Sequence, residues 1–271
     1  MIPRDHILEW RETAPWSEDV QVEQDLIISR ALVEIFSSEK LHAALAFRGG
    51  TALYKLHLSA ARYSEDIDLV QTKAEPAGPM MDELHRVLNP WLGQPVTKQK
   101  EGRVTFVYKL RSEGTPSLPM RLKVETNTRE HFSVYGFKEI PFSVESRWFR
   151  GACSIHTYEL DELLGTKLRA LYQRRQGRDL FDLALALKAG EVDPARIVGA
   201  FLKYLEHEDS RVTRAMFEEN LQTKLEHPDF MADIRPLLSS KYEWNPEEAV
   251  PVVQAALIAK LPGVPWKGKT R

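Results

Sequence analysis

The 271-residue sequence holds a single cysteine, Cys153, which excludes an internal disulfide framework and suits a reducing compartment. Long hydrophobic runs are missing too. No apolar stretch approaches the ~18 residues of a membrane span, and the opening MIPRDHILEWRE is broken by charges where a secretory signal needs an unbroken apolar segment. The expectation is a cytoplasmic protein with no membrane partner. Glycine (14) and proline (16) are sparse, so fibrous and low-complexity classes drop out. Neither sign of charge dominates: 37 Lys and Arg against 39 Asp and Glu leave a net charge of -2. A nucleic-acid partner must therefore be held by a local basic patch.

What is present is ordinary for a folded chain, with 43% hydrophobic and 28% charged residues and a length that allows one or two domains, each with its own core. Val22, Leu26, Ile28, Leu32, Ile35 and Phe36 recur at helical spacing and predict a helix over 18–36 capped by Ser17. The apolar stretch Ala43 to Phe47 predicts a short strand, Thr51 to Leu58 a helix, and Asp66 to Val70 a second strand. A helix over 80–89 should end or kink at Pro90. RVTFVYKL and MRLKVETN alternate with period two and predict half-buried strands joined by the link 112–119.

From about residue 159 the periodicity is helical, in segments 159–175, 179–188, 194–206, 211–226 and 245–260. They are separated by Gly177, Gly190, Asp193-Pro194, His227-Pro228 and Asn245-Pro246. The fold class is therefore α+β: an α/β domain over 1–158 and a helical domain over 159–271. The tail PWKGKTR shows no periodicity.

The stretch FRGGTALYKLHLSAARYSEDIDLV (47–70) carries the first chemistry. Residues i and i+2 of a strand share a face, so Asp66 and Asp68 project together, with Cα atoms roughly 6.5 Å apart. Alone they repel; a divalent cation reverses the sign. Mg²⁺, or Mn²⁺ in its place, takes carboxylate oxygens plus substrate phosphates. Gly49, Gly50 and Thr51 stand before a helix, where unpaired N–H groups with no Cβ in the way form an anion site. Metal and phosphate together suit a nucleoside triphosphate. Separately, a Gly-Gly pair is most simply a tight turn and a D-x-D a solvated edge. Arg62 and Ser64 are either loop composition or groups that position phosphate and the aspartates.

Glycine turn, helix and paired aspartates on the next strand resemble the polymerase-β-like nucleotidyltransferases. That resemblance implies a mixed sheet and in-line attack at the α-phosphorus with pyrophosphate leaving. It also implies a third carboxylate on a neighbouring strand, for which Glu125 is the candidate; its other reading is an ion-pair partner of a nearby Lys or Arg.

The segment LDELLGTKLRALYQRRQGRDLFDLALAL (160–187) places Lys167 within the apolar face set by Leu163, Leu164, Leu168 and Leu171. A lysine there either snorkels or reaches a cleft and binds the triphosphate as a point charge. Lys167, Arg169, Arg174, Arg175 and Arg178 put five positive charges into twelve residues with no acid among them. This is a candidate RNA-binding patch, or an exposed helix surface. Asp179 and Asp182 follow on one face near a helix start. They cap it, orient Lys167 or the arginines, or assist deprotonation of an attacking hydroxyl.

In that order, GGT, R-x-S-x-D-x-D, K-x-E and K-x6-R-x3-R-D-x-x-D resemble the AbiEii/AbiGii family of nucleotidyltransferase toxins, which includes the MenT-like toxins, over roughly residues 20 to 190. The resemblance implies Asp66 and Asp68 as metal ligands with Glu125, and Gly49, Gly50 and Thr51 as the phosphate turn. Lys167 is then a nucleotide ligand and Asp179 or Asp182 the late acid, the helical domain bringing both to the cleft. It further implies transfer of NMP from an NTP to the 3′ acceptor end of tRNA, with a block of translation or phage propagation, and an antitoxin partner. Two alternatives stand beside it: transfer to a protein or small molecule, and a non-catalytic module that only binds a nucleotide or partner.

Overall fold

The structure is a computed structural model and describes residues 2–114 and 116–268. The chain divides into two compact units. One runs to Tyr158 and includes Ser239–Lys241; the other holds Glu159–Leu238 and the residues from Tyr242 on.

The first unit opens with α1 (Arg4–Trp10), α2 (Asp19–Phe36) and α3 (Glu39–Ala44), then β1 (Leu45–Arg48) and α4 (Gly49–Ala52). A π-helical turn, Leu53–His57, continues α4 before β2 (Asp66–Gln71) and α5 (Ala77–Leu92). The strands β3 (Val96–Lys100), β4 (Arg103–Arg111), β5 (Pro119–Asn127), β6 (Phe137–Glu145) and β7 (Arg150–Tyr158) complete it. They form one seven-stranded sheet in the order β3-β4-β5-β2-β1-β7-β6. The sheet is mixed: β2 runs parallel to β5 and β1 parallel to β7, while the remaining pairs are antiparallel. The strand bearing both aspartates is thus central, which holds their backbone rigid.

The period-two reading of β4 and β5 matches the burial. Val104, Phe106, Tyr108, Leu122 and Val124 are all buried, each worth about 1.5–3 kcal/mol of apolar transfer. Helix α2 is buried around most of its surface, Glu23, Gln24, Asp25 and Ser29 included. Those polar groups find partners from other parts of the chain, and the Ser29 hydroxyl also donates to the Asp25 carbonyl within α2. Gln24 donates to the carbonyls of Glu65 and Arg121, at 3.2 and 3.0 Å, and so ties the start of β2 to β5.

The second unit comprises α6 (Leu160–Gln173), α7 (Gly177–Ala189), α8 (Pro194–His207), α9 (Arg214–Leu225), α10 (Pro228–Ala232) and α11 (Pro246–Ala256). Asp193, Thr213 and Asn245 cap α8, α9 and α11 with their side chains, and proline stands in the first turn of α8, α10 and α11. Each cap supplies an acceptor to a helix-start N–H, and each proline removes such a donor, where no intrahelical acceptor exists.

Several boundaries differ from expectation. Glu18, not Ser17, is the N-cap of α2, in a capping box with Gln21. The strand expected over 43–47 begins at Leu45, because α3 claims the residues before it. The helix expected from Thr51 starts at Gly49, so both glycines form its first turn. Pro90 does not end α5, which runs two residues further to Leu92; near a C-terminus one lost N–H bond is tolerated. Helices α1 and α10 and strands β3, β6 and β7 were not expected. Of the tail PWKGKTR, the last three residues lie outside the described residues. Among the described residues no helix is long and apolar enough to cross a membrane.

Candidate active site

Arg48 ends β1 opposite Asp68 on β2, and the chain then turns directly into α4. Gly49 has φ +85°, and a β-carbon on it would lie 2.3 Å from Asp68 Oδ2. The Asp68 carboxylate therefore packs onto the bare Cα of Gly49, as only glycine permits. Gly50 is confined as well, since a β-carbon there would meet Arg62 Nη2 at 2.7 Å and Ser64 Oγ at 3.0 Å. The Thr51 hydroxyl donates to the Asp66 carbonyl at 2.5 Å and meets the Ser64 hydroxyl at 2.9 Å. Gly49, Gly50, Thr51, Arg62, Ser64, Asp66 and Asp68 thus form one contiguous cluster, with Gly50, Thr51 and Arg62 buried in it.

Both aspartates are half-buried on one face of β2. Burial, and next the neighbouring Asp66 charge, raise the Asp68 carboxyl above the usual carboxylate range; Lys123 and Arg48 pull it down without cancelling the rise. Asp68 is an acid short of positive charge. Arg48 itself is tied to Glu130 at 2.5 Å.

On β5, in parallel register, Lys123 stands opposite Asp66 and Glu125 opposite Asp68. The Lys123 ammonium lies 2.9 Å from Asp66 Oδ2 and 3.6 Å from Glu125 Oε2, and Arg103 reaches Glu125 at 3.2 Å. Glu125 is thus an ion-pair partner of two cations. Among the described residues no group of three or more His, Cys, Asp or Glu side chains converges to hold a metal ion. The donor set still fits Mg²⁺. Two carboxylates completed by substrate phosphates is a usual arrangement for that ion, and the Gly49 cradle leaves Asp68 uncovered by any side chain on that residue.

A cavity of about 280 Å³ adjoins the glycine turn, and Thr51, Arg62, Ser64, Tyr54, Lys55 and Asp25 are among its lining residues. Asp25, buried on α2, accepts from Trp10 Nε1 at 2.9 Å, Trp16 Nε1 at 3.1 Å and Lys55 Nζ at 2.6 Å. Lys55 also donates to Ser29 Oγ at 2.9 Å. The sequence reading missed Arg48, Lys55, Lys123 and Asp25 as site residues. Lys55 carried a usable signal, standing one helical turn beyond Thr51; Asp25 carried none, because its partners are 15, 9 and 30 positions away.

The second unit gathers its own cluster. Asp179 and Asp182 on α7 are fully buried. Lys167 Nζ on α6 lies 3.2 Å from Asp179 and 3.1 Å from Asp182, and Arg174 Nε and Nη2 grip both oxygens of Asp179 at 2.7 and 2.8 Å. Burial pushes the Asp179 carboxyl up, but Lys167 and Arg174 outweigh it and the group ends below its ordinary value. Lys167 therefore neither snorkels nor stands ready as a lone point charge. Its ammonium is held by the two aspartates that follow it.

The basic run is likewise engaged. Arg169 is buried against the Tyr204 ring and donates to Glu208 at 2.9 Å. Arg178 donates to Gln176 at 3.3 Å and lies 3.9 Å from Asp233. Arg175 is exposed. The basic run is instead mostly a set of ion pairs, formed with Asp179 and Asp182 just after it and with Glu208 and Asp233 farther along the chain.

Comparison with solved structures assigns the fold. The fold is that of nucleotidyltransferases. MenT4, a nucleotidyltransferase toxin from Mycobacterium tuberculosis, superposes with a TM-score of 0.64 at 15% identity, covering 97% of this chain and 91% of that one. A putative nucleotidyltransferase from H. pylori superposes with a TM-score of 0.50 at 16% identity, covering 88% and 94%. No curated protein matches the sequence. The family described as nucleotidyl transferase AbiEii toxin, type IV toxin–antitoxin system, matches residues 30–255. The chain belongs to that family.

Proposed function

We propose that this protein is a metal-dependent nucleotidyltransferase toxin that moves NMP from an NTP onto the 3′ acceptor end of tRNA and so blocks translation. The observation that carries the reading is the Asp68 carboxylate seated on the bare Cα of Gly49 beside Asp66. It brings paired acids, a glycine turn and a neighbouring cavity together in one cluster. Mg²⁺ or Mn²⁺ held by Asp66 and Asp68 would neutralise phosphate charge during in-line displacement.

The protein's own groups do the rest. The backbone N–H groups of Gly49, Gly50 and Thr51 bind phosphate, with Arg62 and Ser64 behind them. Lys55, fixed by Asp25 and Ser29, offers its ammonium as a hydrogen-bond donor in the adjoining cavity. Catalysis is then mainly positioning and charge stabilisation. The Lys167–Asp179–Asp182–Arg174 cluster is the late motif of the family resemblance, and we assign it to this reaction rather than to stability alone. Family membership in a toxin–antitoxin system supports a cognate antitoxin protein as partner.

Incubating the purified protein with each labelled NTP, total RNA and Mg²⁺ tests the reading. Label at the 3′ end of tRNA is the expected result. Label confined to protein or to a small molecule replaces the acceptor, and no transfer with any triphosphate overturns the enzyme.

A further inference from the structure

Strands β2 and β5 run side by side in parallel, and their functional residues form two rungs. Asp66 faces Lys123 on the first, and Asp68 faces Glu125 on the second. Because i and i+2 share a strand face, all four side chains meet on one surface. A lysine between three acids is more than balance of charge. Its ammonium sits 2.9 Å from Asp66 Oδ2 and 3.6 Å from Glu125 Oε2, a place that a divalent cation shared by β2 and β5 would contest. Arg103, from β4, holds the other Glu125 oxygen at 3.2 Å.

We propose that Lys123 is a placeholder cation: it holds Asp66 and Glu125 together before a divalent metal arrives and is displaced from Asp66 when the metal binds. The proposal rests on the metal-dependent reading above. Chemically the role suits lysine, a compact charge on a flexible four-carbon stem, and would not suit a carboxylate-gripping arginine. Lys123 is one-third exposed, so its stem has room to swing away, and a bound polyphosphate offers the released ammonium a new acceptor.

Two consequences follow. The carboxylates stay assembled without metal, since their mutual repulsion is compensated. Free metal binds weakly, because it must displace an ammonium already in place, whereas metal arriving with nucleotide meets no such penalty.

The experiment is a Mn²⁺ titration of the full chain without nucleotide, with free Mn²⁺ read by electron paramagnetic resonance. Wild type, Lys123→Gln, Lys123→Met, Lys123→Arg and the double variant Lys123→Gln/Asp68→Asn are compared, each checked by circular dichroism. Either neutral variant should bind Mn²⁺ on the order of tenfold more tightly, as expected when a unit charge about 4 Å from a dication is removed. Lys123→Arg should bind no more tightly than wild type, and the double variant should lose the gain. Equal or weaker binding by both neutral variants overturns the placeholder role while leaving the metal site intact. Absence of binding in every variant, including the neutral ones, overturns the metal reading and the placeholder with it.

Discussion

Asp68 Oδ2 occupies the space that a β-carbon on Gly49 would need, 2.3 Å away. Two residues nineteen positions apart thereby share one volume. The glycine is required twice over, by that contact and by its φ of +85°.

Gly49→Ala should consequently displace the Asp68 carboxylate and strain the backbone. A non-glycine residue in this region costs on the order of 1–3 kcal/mol, and a displacement of about 1 Å at a reacting group costs about a hundredfold in rate. Urea unfolding and NMP-transfer assays measure the two effects separately. A variant with wild-type turnover would show that Asp68 has no fixed position to lose.

The helical unit should depend on its buried ion cluster. Lys167→Met removes the ammonium between Asp179 and Asp182, and breaking a buried pair from one side costs about 3–5 kcal/mol. Denaturant unfolding of Lys167→Met and of Asp182→Asn should both show losses of this order. The Lys167→Met/Asp182→Asn double variant should lose less than the sum of the singles, since the same interaction is removed in each. Strict additivity would mean that the two residues do not interact.

Neighbouring arginines should separate cleanly by phenotype. Arg175 is exposed, so Arg175→Ala should leave stability within about 0.5 kcal/mol. If RNA is the acceptor, it should lower the salt dependence of RNA binding by about one phosphate contact. Arg174 instead grips a buried carboxylate. Arg174→Ala should lower the melting temperature first, whatever the acceptor. Fluorescence anisotropy with tRNA at several salt concentrations, alongside thermal melts, distinguishes them.

Stability should rise with pH on the alkaline side because of Lys224. Burial lowers its amine to about 8, while the unfolded chain keeps a lysine near ~10.4. Between these values the unfolded state binds more protons than the folded one, so unfolding free energy increases from about pH 8 to about pH 10. The neutral amine also has two N–H groups for the two acceptors present, the carbonyls of Leu171 and Tyr172 at the end of α6. Lys224→Met should flatten this part of the stability profile, as measured by urea titrations at fixed pH. A wild-type profile that falls over the same window would contradict the shift.

Much of the fold was legible locally. The alternation in β4 and β5 reports a half-buried strand wherever it occurs, and Asp193-Pro194 and Asn245-Pro246 announce helix starts through side-chain capping. Strands β3 and β6 were not legible, since both are sheet edges. VTKQK is exposed throughout, and FKEIPFSVE carries Pro141 inside it. VTKQK has no hydrophobic pattern, and the alternation of Ile140, Phe142 and Val144 in FKEIPFSVE is interrupted by Pro141, which argues against a strand interior; pairing with β4 and β7 makes them strands. The π-helical turn after α4, which brings Lys55 to Asp25, likewise has no short-range signature.

The amino-acid order alone determined that Asp66 and Asp68 share a face, that two glycines precede a helix, and that a lysine is set into the apolar stripe of α6. Strand and helix periodicity depend only on neighbouring residues, so no tertiary knowledge enters. Which charge meets which acid was decided by the tertiary structure: Lys123 with Asp66, Lys55 with Asp25, Lys167 with Asp179 and Asp182. Those partners lie between 12 and 57 positions apart. Only packing, which lowers the dielectric around them and makes an unpaired charge costly, selects among the many pairings that the composition permits.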